Sequence, residues 1–170
     1  MGEKIKSLQH LCLEQILAVL DLRSFNARYL HMLCRHLPPH ICDPILEKLH
    51  SLGLVTDNIL LDFLNPARTT LTLHGATRLR NSLLKQVGYH CPHLLYLDLT
   101  NCSQVGNSVI RGILQNCLKL TGLRLDGCHR ISDAAFDMYQ SPFQALEGCQ
   151  SLEMISLQGC NQITGNLAEN

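Results

Sequence analysis

Three stretches of the sequence share one pattern: CPHLLYLDLTNC at residues 91–102, CLKLTGLRLDGC at 117–128 and CQSLEMISLQGC at 149–160. Each has a cysteine, an L-x-x-L-x-L core (with isoleucine replacing its second leucine in the last), and a second cysteine. The first step between stretches is 26 residues and the second is 32, an insertion of six that fits around Pro142. A period of this length predicts a repeat protein, in which each unit buries its apolar face against its neighbours.

The core of each stretch predicts a short parallel strand whose alternate leucines point inward. The second cysteine begins the following turn, where a small, weakly polar side chain can pack beside buried backbone and form weak hydrogen bonds. Residues 107–115 and 134–145 are predicted to form convex helices. An earlier, degenerate unit has Leu71 and Leu73, with Ala76 in the cysteine position.

Over residues 68–170 these repeats resemble the cysteine-containing leucine-rich repeats common in F-box and related ubiquitin-ligase receptors. The resemblance implies an α/β fold, a leucine-rich-repeat solenoid of parallel strands and convex helices with an N-terminal helical cap. We therefore expect a helical docking and capping segment at residues 1–66 and cysteine-type leucine-rich repeats at 67–170. Because the third unit stops soon after Ile163, we expect the repeats to be truncated at the C-terminus.

The composition argues against several functional classes. The 170 residues include 14 Lys+Arg and 14 Asp+Glu, and this zero net charge gives no electrostatic case for binding nucleic acid or an anionic membrane. Leucine fills 34 positions and Trp is absent, which predicts an aliphatic core. No apolar run approaches the length of a membrane span. Nine cysteines without a secretory signal favour an intracellular location, in the cytoplasm or nucleus.

Motifs for catalysis and metal binding are also missing from the sequence. The cysteines occupy repeat positions rather than C-x-x-C pairs, which argues against zinc. There is no nucleophile elbow and no phosphate-binding glycine loop. We therefore expect a protein that is not an enzyme, with no cofactor and no metal.

Residues 7–20 are predicted to form an apolar-rich helix with Ser7 as its N-cap. The order S-L-x-x-x-C-x-x-x-I resembles the elongin-C-binding box of VHL-box and SOCS-box proteins. This resemblance implies a helix laid into a groove of elongin C, with contacts from one set of side chains: Leu8, Leu11, Cys12 and Ile16.

About twenty residues later, the sequence LPPHICDPI at 37–45 resembles a cullin-2 box. The cullin-5 version expects Leu-Pro-apolar-Pro and fits less well. Proline favours the start of a helix, although Pro44 would lie inside the helix that follows. The resemblance implies cullin contacts through Leu37, Pro38, Ile41 and Ile45.

The whole layout resembles VHL-box leucine-rich-repeat receptors of the zyg and Zer type, and the antagonists of the mitotic exit network. It implies a substrate-recognition adaptor of an elongin BC–cullin-2 E3 ubiquitin ligase, whose partners are elongin B/C, cullin-2 and a protein substrate. Two alternatives remain open. One is an F-box-like receptor bound to a Skp-type adaptor, and the other is a leucine-rich-repeat scaffold with no ligase link. The N-terminal helices could also simply cap the repeats.

Strand residues between the inward leucines are expected to face a concave surface. A protein substrate would bind there, through five side chains: Tyr96, Asp98, Arg124, Asp126 and Ser156. Asp98 and Arg124 are expected to form a charge pair on this surface.

Overall fold

The computed structural model describes residues 14–16, 18, 37–137 and 150–164. The chain divides into two compact units, Met1–Phe63 and Leu64–Asn170. This boundary lies three residues before the one expected at residue 66 from the sequence. No helix among the described residues has the length and apolar character needed to cross a membrane.

Helix α1, Pro39–Ser51, is the longest described helix of the first unit. Pro39 occupies its first position, where the fixed φ of proline suits a helix and its missing N–H is not needed. Pro44 lies inside the helix, as expected. Buried side chains at helical spacing form its inner face: Cys42, Ile45, Leu46 and Leu49.

Two further features complete the described part of the first unit. Residues 14–16 and 18 are helical, within the helix predicted at 7–20. Helix α2, Asp57–Phe63, follows α1 and buries Ile59, Leu60 and Phe63. Between the two helices, Gly53 adopts a positive φ of 66°, a left-handed conformation that glycine tolerates best.

The second unit contains a parallel four-stranded sheet in its described residues. The strands lie in chain order: β1 at Thr70–Thr72, β2 at Tyr96–Asp98, β3 at Gly122–Arg124 and β4 at Met154–Ser156. The middle residues of neighbouring strands, Leu71, Leu97, Leu123 and Ile155, are in register. The repeat alignment in the sequence therefore predicts the register of every strand pair.

The inward leucines of the first three strands form the core of this unit. Leu97, Leu99, Leu123 and Leu125 are all fully buried. On the edge strand β4, Ile155 fills the same repeat position as Leu97 but is 40% exposed. Leu71, on the other edge strand β1, is only 1% exposed, so among the described strands the exposure of this position is confined to β4.

One helix follows each of the first two strands. Helix α3 covers Asn81–His90 and α4 covers Asn107–Asn116, one residue longer than predicted. After β3, the described residues contain a 3-10 helix at Asp133–Ala135. The rest of the helix predicted at 134–145 lies mostly outside the described residues.

Helices α3 and α4 approach closely at Gly88. A Cβ on Gly88 would lie 3.0 Å from Asn116 Cβ, 3.1 Å from the Gly112 carbonyl oxygen and 3.2 Å from Ile113 Cα. Two of these neighbours are backbone atoms and cannot move alone. Glycine is therefore required here by packing, because any side chain would push the two helices apart.

We expect Gly88→Val to lower the free energy of unfolding by about 2 kcal/mol through overpacking, as measured by urea denaturation. Gly112→Val is the matched control, since a Cβ there would only meet Lys85, at 3.8 Å or more. Both substitutions replace a helical glycine with valine. An equal loss for the two variants would contradict this account of the helix contact.

Candidate functional site

One face of the sheet carries the side chains that alternate with the inward leucines, and we call it the open face. Its twelve positions form three rows across the four strands: Thr70, Tyr96, Gly122 and Met154; Thr72, Asp98, Arg124 and Ser156; His74, Thr100, Asp126 and Gln158. All five substrate-contact residues predicted from the sequence lie on this face. Their role in substrate binding stays a prediction.

Arg124 links these residues into one network. Its Nη2 donates a hydrogen bond to Asp126 Oδ2 at 3.1 Å, and its Nη1 lies 3.8 Å from Asp98 Oδ2. Asp126 thus holds the guanidinium more tightly than does Asp98, the partner predicted from the sequence. The hydrogen bond to Asp126 is the main cause that raises the pKa of the guanidinium. Its side chain is still 44% exposed.

Asp126 receives three hydrogen bonds from two strands. Its Oδ1 accepts the Ser156 hydroxyl at 2.5 Å and the Gln158 backbone N–H at 2.8 Å, while its Oδ2 accepts Arg124. These bonds, that of Ser156 foremost, hold the pKa of Asp126 below its usual range. The carboxylate therefore stays ionised and ties β4 to β3.

Asp98 and Thr100 form a second polar centre beside the first. The Thr100 backbone N–H donates to Asp98 Oδ1 at 2.8 Å. Both residues are 7% exposed. Thr100 Oγ1 is fully buried and has no hydrogen-bond partner among the described residues. Burying a hydroxyl group without a hydrogen bond costs free energy. Thr100 is therefore an unsatisfied polar residue within the open face.

Tyr96, Gly122 and Met154 form the apolar end of the open face. These three residues are directly opposite one another on β2, β3 and β4. A Cβ on Gly122 would lie 2.7 Å from Tyr96 Cδ2 and 3.3 Å from Met154 Cε. The tyrosine ring and the methionine methyl group therefore close over the glycine from both sides. Because Gly122 has no side chain, the Tyr96 ring can lie against this position of β3.

The cysteines at the ends of the repeats form a ladder of thiol hydrogen bonds. Each thiol donates to a carbonyl oxygen of the preceding unit: Cys102 to Leu73 at 3.0 Å, Cys128 to Leu99 at 3.1 Å and Cys160 to Leu125 at 3.1 Å. This geometry matches the weak hydrogen bonds expected from the sequence. Each of these carbonyl oxygens also accepts a backbone N–H from its own turn, so the thiol is a second donor that joins neighbouring units.

Burial makes these thiols poor nucleophiles. It raises the pKa of Cys102 to about 11 and that of Cys128 to about 12. A catalytic cysteine requires the opposite shift, because the thiolate is the reactive form. Among the described residues, no three His, Cys, Asp or Glu side chains come together in a group able to hold a metal ion.

The residues predicted to dock elongin C lie mostly outside the described part of the chain. Leu8, Leu11 and Cys12 are not described, and Ile16 is helical and partly exposed. That these four side chains share one face of the helix stays a prediction.

The residues predicted to contact a cullin divide into two groups. Pro38 is exposed, and Leu37 and Ile41 are partly exposed near the start of α1. Ile45 is fully buried and belongs to the inner face of the helix. The sequence pattern missed this burial, because a helical repeat of apolar residues looks the same in a core as in an interface. Ile45 is therefore removed from the candidate contacts.

Strand alternation in the sequence also places Thr100, Gly122 and Met154 on the open face, although they are not among the five predicted contacts. The repeat alignment puts Tyr96, Gly122 and Met154 in one row. Nothing in the sequence indicates that the Thr100 hydroxyl is left uncommitted, because that depends on side-chain positions.

Comparison with known proteins gives a match in structure alone. No protein-family model matches the chain, and no curated protein sequence matches it either. Among solved structures, the chain resembles one from the crystal structure of the Rad7 and Elc1 complex in yeast, with a TM-score of 0.62 and 18% sequence identity. The match covers 91% of this chain but 39% of the yeast chain, so this protein spans about two fifths of that neighbour's length. At this identity the likeness establishes a shared α/β fold with a parallel sheet.

Proposed function

We propose that this protein is a non-catalytic substrate-recognition adaptor of an elongin BC–cullin-2 ubiquitin ligase. Its second unit would be part of a leucine-rich-repeat solenoid that holds a target protein on the open face. Its N-terminal segment would dock on the ligase core. Such an adaptor accelerates ubiquitin transfer by raising the effective concentration of substrate lysines near the ligase.

The single observation behind this proposal is the cysteine-type repeat ladder. In-register strands joined by thiol hydrogen bonds, from Cys102, Cys128 and Cys160, are the arrangement expected of the repeats in ubiquitin-ligase receptors. The structural likeness to a chain of the Rad7 and Elc1 complex also supports the proposal, since that chain was crystallised with a partner protein.

The exposure of the side chains reduces the set of residues that we propose for docking. Leu8, Leu11, Cys12 and Ile16 would fill the elongin C groove. Leu37, Pro38 and Ile41 remain as candidates for the cullin, because they keep exposed surface at the start of α1. A cullin contact of this kind would use the first turn of the helix and leave its buried face, around Ile45, undisturbed.

The decisive experiment is capture of the full chain by purified, immobilised elongin B/C. We expect wild-type protein to be retained and the variant Leu8→Asp with Cys12→Asp to be lost, because two charges would enter an apolar groove. The control is Glu14→Lys, which changes the charge by two units at an exposed position that helical spacing places away from Leu8 and Cys12, and it is expected to leave capture unchanged.

Two results would overturn the adaptor proposal. Failure of the wild-type protein to bind elongin B/C, or capture by a Skp-type adaptor instead, would point to one of the alternative assemblies. Equal loss of capture in the double variant and in the Glu14→Lys control would mean that any change of charge disturbs this helix, so the binding residues would have to be sought elsewhere. Circular dichroism of each variant separates unfolding from loss of contact.

A further inference from the structure

The charges of the open face are unevenly placed. Of its twelve positions, the only Asp, Glu, Lys or Arg residues are Asp98, Arg124 and Asp126, on two adjacent strands. Two carboxylates around one guanidinium leave a local charge of −1. The remaining nine positions carry no Asp, Glu, Lys or Arg. The open face therefore favours a cation and disfavours an anion, even though Arg124 is its most exposed charge.

One carboxylate oxygen in the same place makes no hydrogen bond among the described residues. Asp98 Oδ2 lies 3.8 Å from Arg124 Nη1, which is too long for a hydrogen bond. The nearby Thr100 Oγ1 is buried without a partner among the described residues, so it donates to neither carboxylate. Asp98 Oδ2 is therefore able to accept an N–H.

The apolar end of the open face lies next to these oxygens. Met154 is 47% exposed and Tyr96 is partly exposed, and both side chains lean over Gly122. A flat aromatic ring beside carboxylates suits a side chain with a long aliphatic stem and a positive end, by apolar contact and cation–π attraction.

From this arrangement we propose that the open face binds a lysine or arginine side chain of an extended protein segment. The stem of that side chain packs on Tyr96 and Met154, and its charged end pairs with the carboxylates of Asp98 and Asp126. The inference rests on the proposed function in taking a protein segment as the ligand, and it names the class of sequence recognised. An acidic segment is the competing occupant, and it would have to pair with Arg124 against the two carboxylates.

The test is a cellulose-bound array of random ten-residue peptides probed with the purified full chain. We expect lysine and arginine to be enriched among the bound peptides relative to the array, and aspartate and glutamate to be depleted. Raising the salt concentration should weaken this preference, because the charges involved are only partly buried. Enrichment of acidic peptides, or no enrichment of either sign, would overturn the proposal.

Two kinds of variant assign the preference to these residues. Asp98→Asn with Asp126→Asn removes both negative charges, while each amide keeps one oxygen acceptor, and should reduce the basic enrichment about fivefold. Gly122→Ala should also reduce it by displacing the Tyr96 ring, without altering any charge. Asp137→Asn, at an exposed position outside the open face, is the control for net charge. An unchanged preference in the first two variants would contradict the assignment.

This test is independent of the ligase. None of the open-face variants is expected to change capture by elongin B/C. If elongin capture fails and the basic preference holds, the adaptor proposal falls and the open face remains a peptide-binding surface. If capture holds and the preference is absent, only the recognition of basic segments is rejected.

Discussion

Leu97→Ala is expected to lower the free energy of unfolding by about 3 kcal/mol, measured by urea denaturation. Leu97 is fully buried at the centre of the sheet, between Leu71 and Leu123 on the adjacent strands. Removing its side chain loses apolar burial and leaves a cavity that packed strands on both sides cannot fill. The loss should affect every unit, since each is stabilised only by its neighbours.

Ile155→Ala is the matched control for this variant. Ile155 fills the same repeat position on β4 but is 40% exposed. It has less burial to lose, and we expect a decrease of about 1 kcal/mol. Equal decreases at the two positions would show that neighbour stacking is not what stabilises this unit.

Alkaline pH is expected to destabilise the second unit through its buried thiols. Burial raises the pKa of Cys102 to about 11 and of Cys128 to about 12, from an ordinary value of 9.0. A group whose pKa is raised on folding stabilises the protein fully below its unfolded pKa. Above pH 9 the unfolded thiols release protons and the folded thiols do not, so stability falls until the folded pKa is reached.

The measurement is urea denaturation at intervals between pH 8 and 10.5. Each thiol is expected to contribute up to about 1.4 kcal/mol of lost stability for each pH unit above 9. The variant Cys102→Ala with Cys128→Ala should be less stable at pH 8 but show a flatter decline with pH. Parallel declines in wild type and variant would mean that other groups, rather than these two thiols, cause the alkaline loss.

Strand positions and register are the part of the fold that the sequence predicts best. Alignment of Leu71, Leu97, Leu123 and Ile155 in the repeats gives their register in the sheet. The cysteine position also predicts the thiol hydrogen bonds, because a repeat places equivalent atoms at equivalent distances. These features depend on spacing, and spacing can be read directly from a sequence.

Burial of Ile45 and the 3-10 turn at the start of the segment after β3 could not be predicted in the same way. Ile41 and Ile45 are one turn apart, and the pattern alone does not say which of them faces a core. The structure leaves Ile41 partly exposed and buries Ile45. After β3, helical spacing in residues 134–145 predicts a full helix, whereas the described residues begin with a 3-10 turn at Asp133–Ala135.

Prediction of the candidate site from the sequence has the same limit. Strand alternation predicts which side chains share the open face, including Tyr96, Asp98 and Arg124. It does not predict that Arg124 turns toward Asp126, two residues along its own strand, because that depends on side-chain rotamers. The closure of Tyr96 over Gly122 likewise depends on where the ring comes to rest.

The uneven spacing of the repeats has a bearing on how such a protein can change over time. Strands β2 and β3 are separated by a step of 26 residues and β3 and β4 by 32, yet both pairs keep the same register. Backbone hydrogen bonds set the alignment, and the connecting chain only has to be long enough to reach. Insertions between units can therefore arise one at a time and be tested by selection as new surface features, while the sheet beneath them stays as it was.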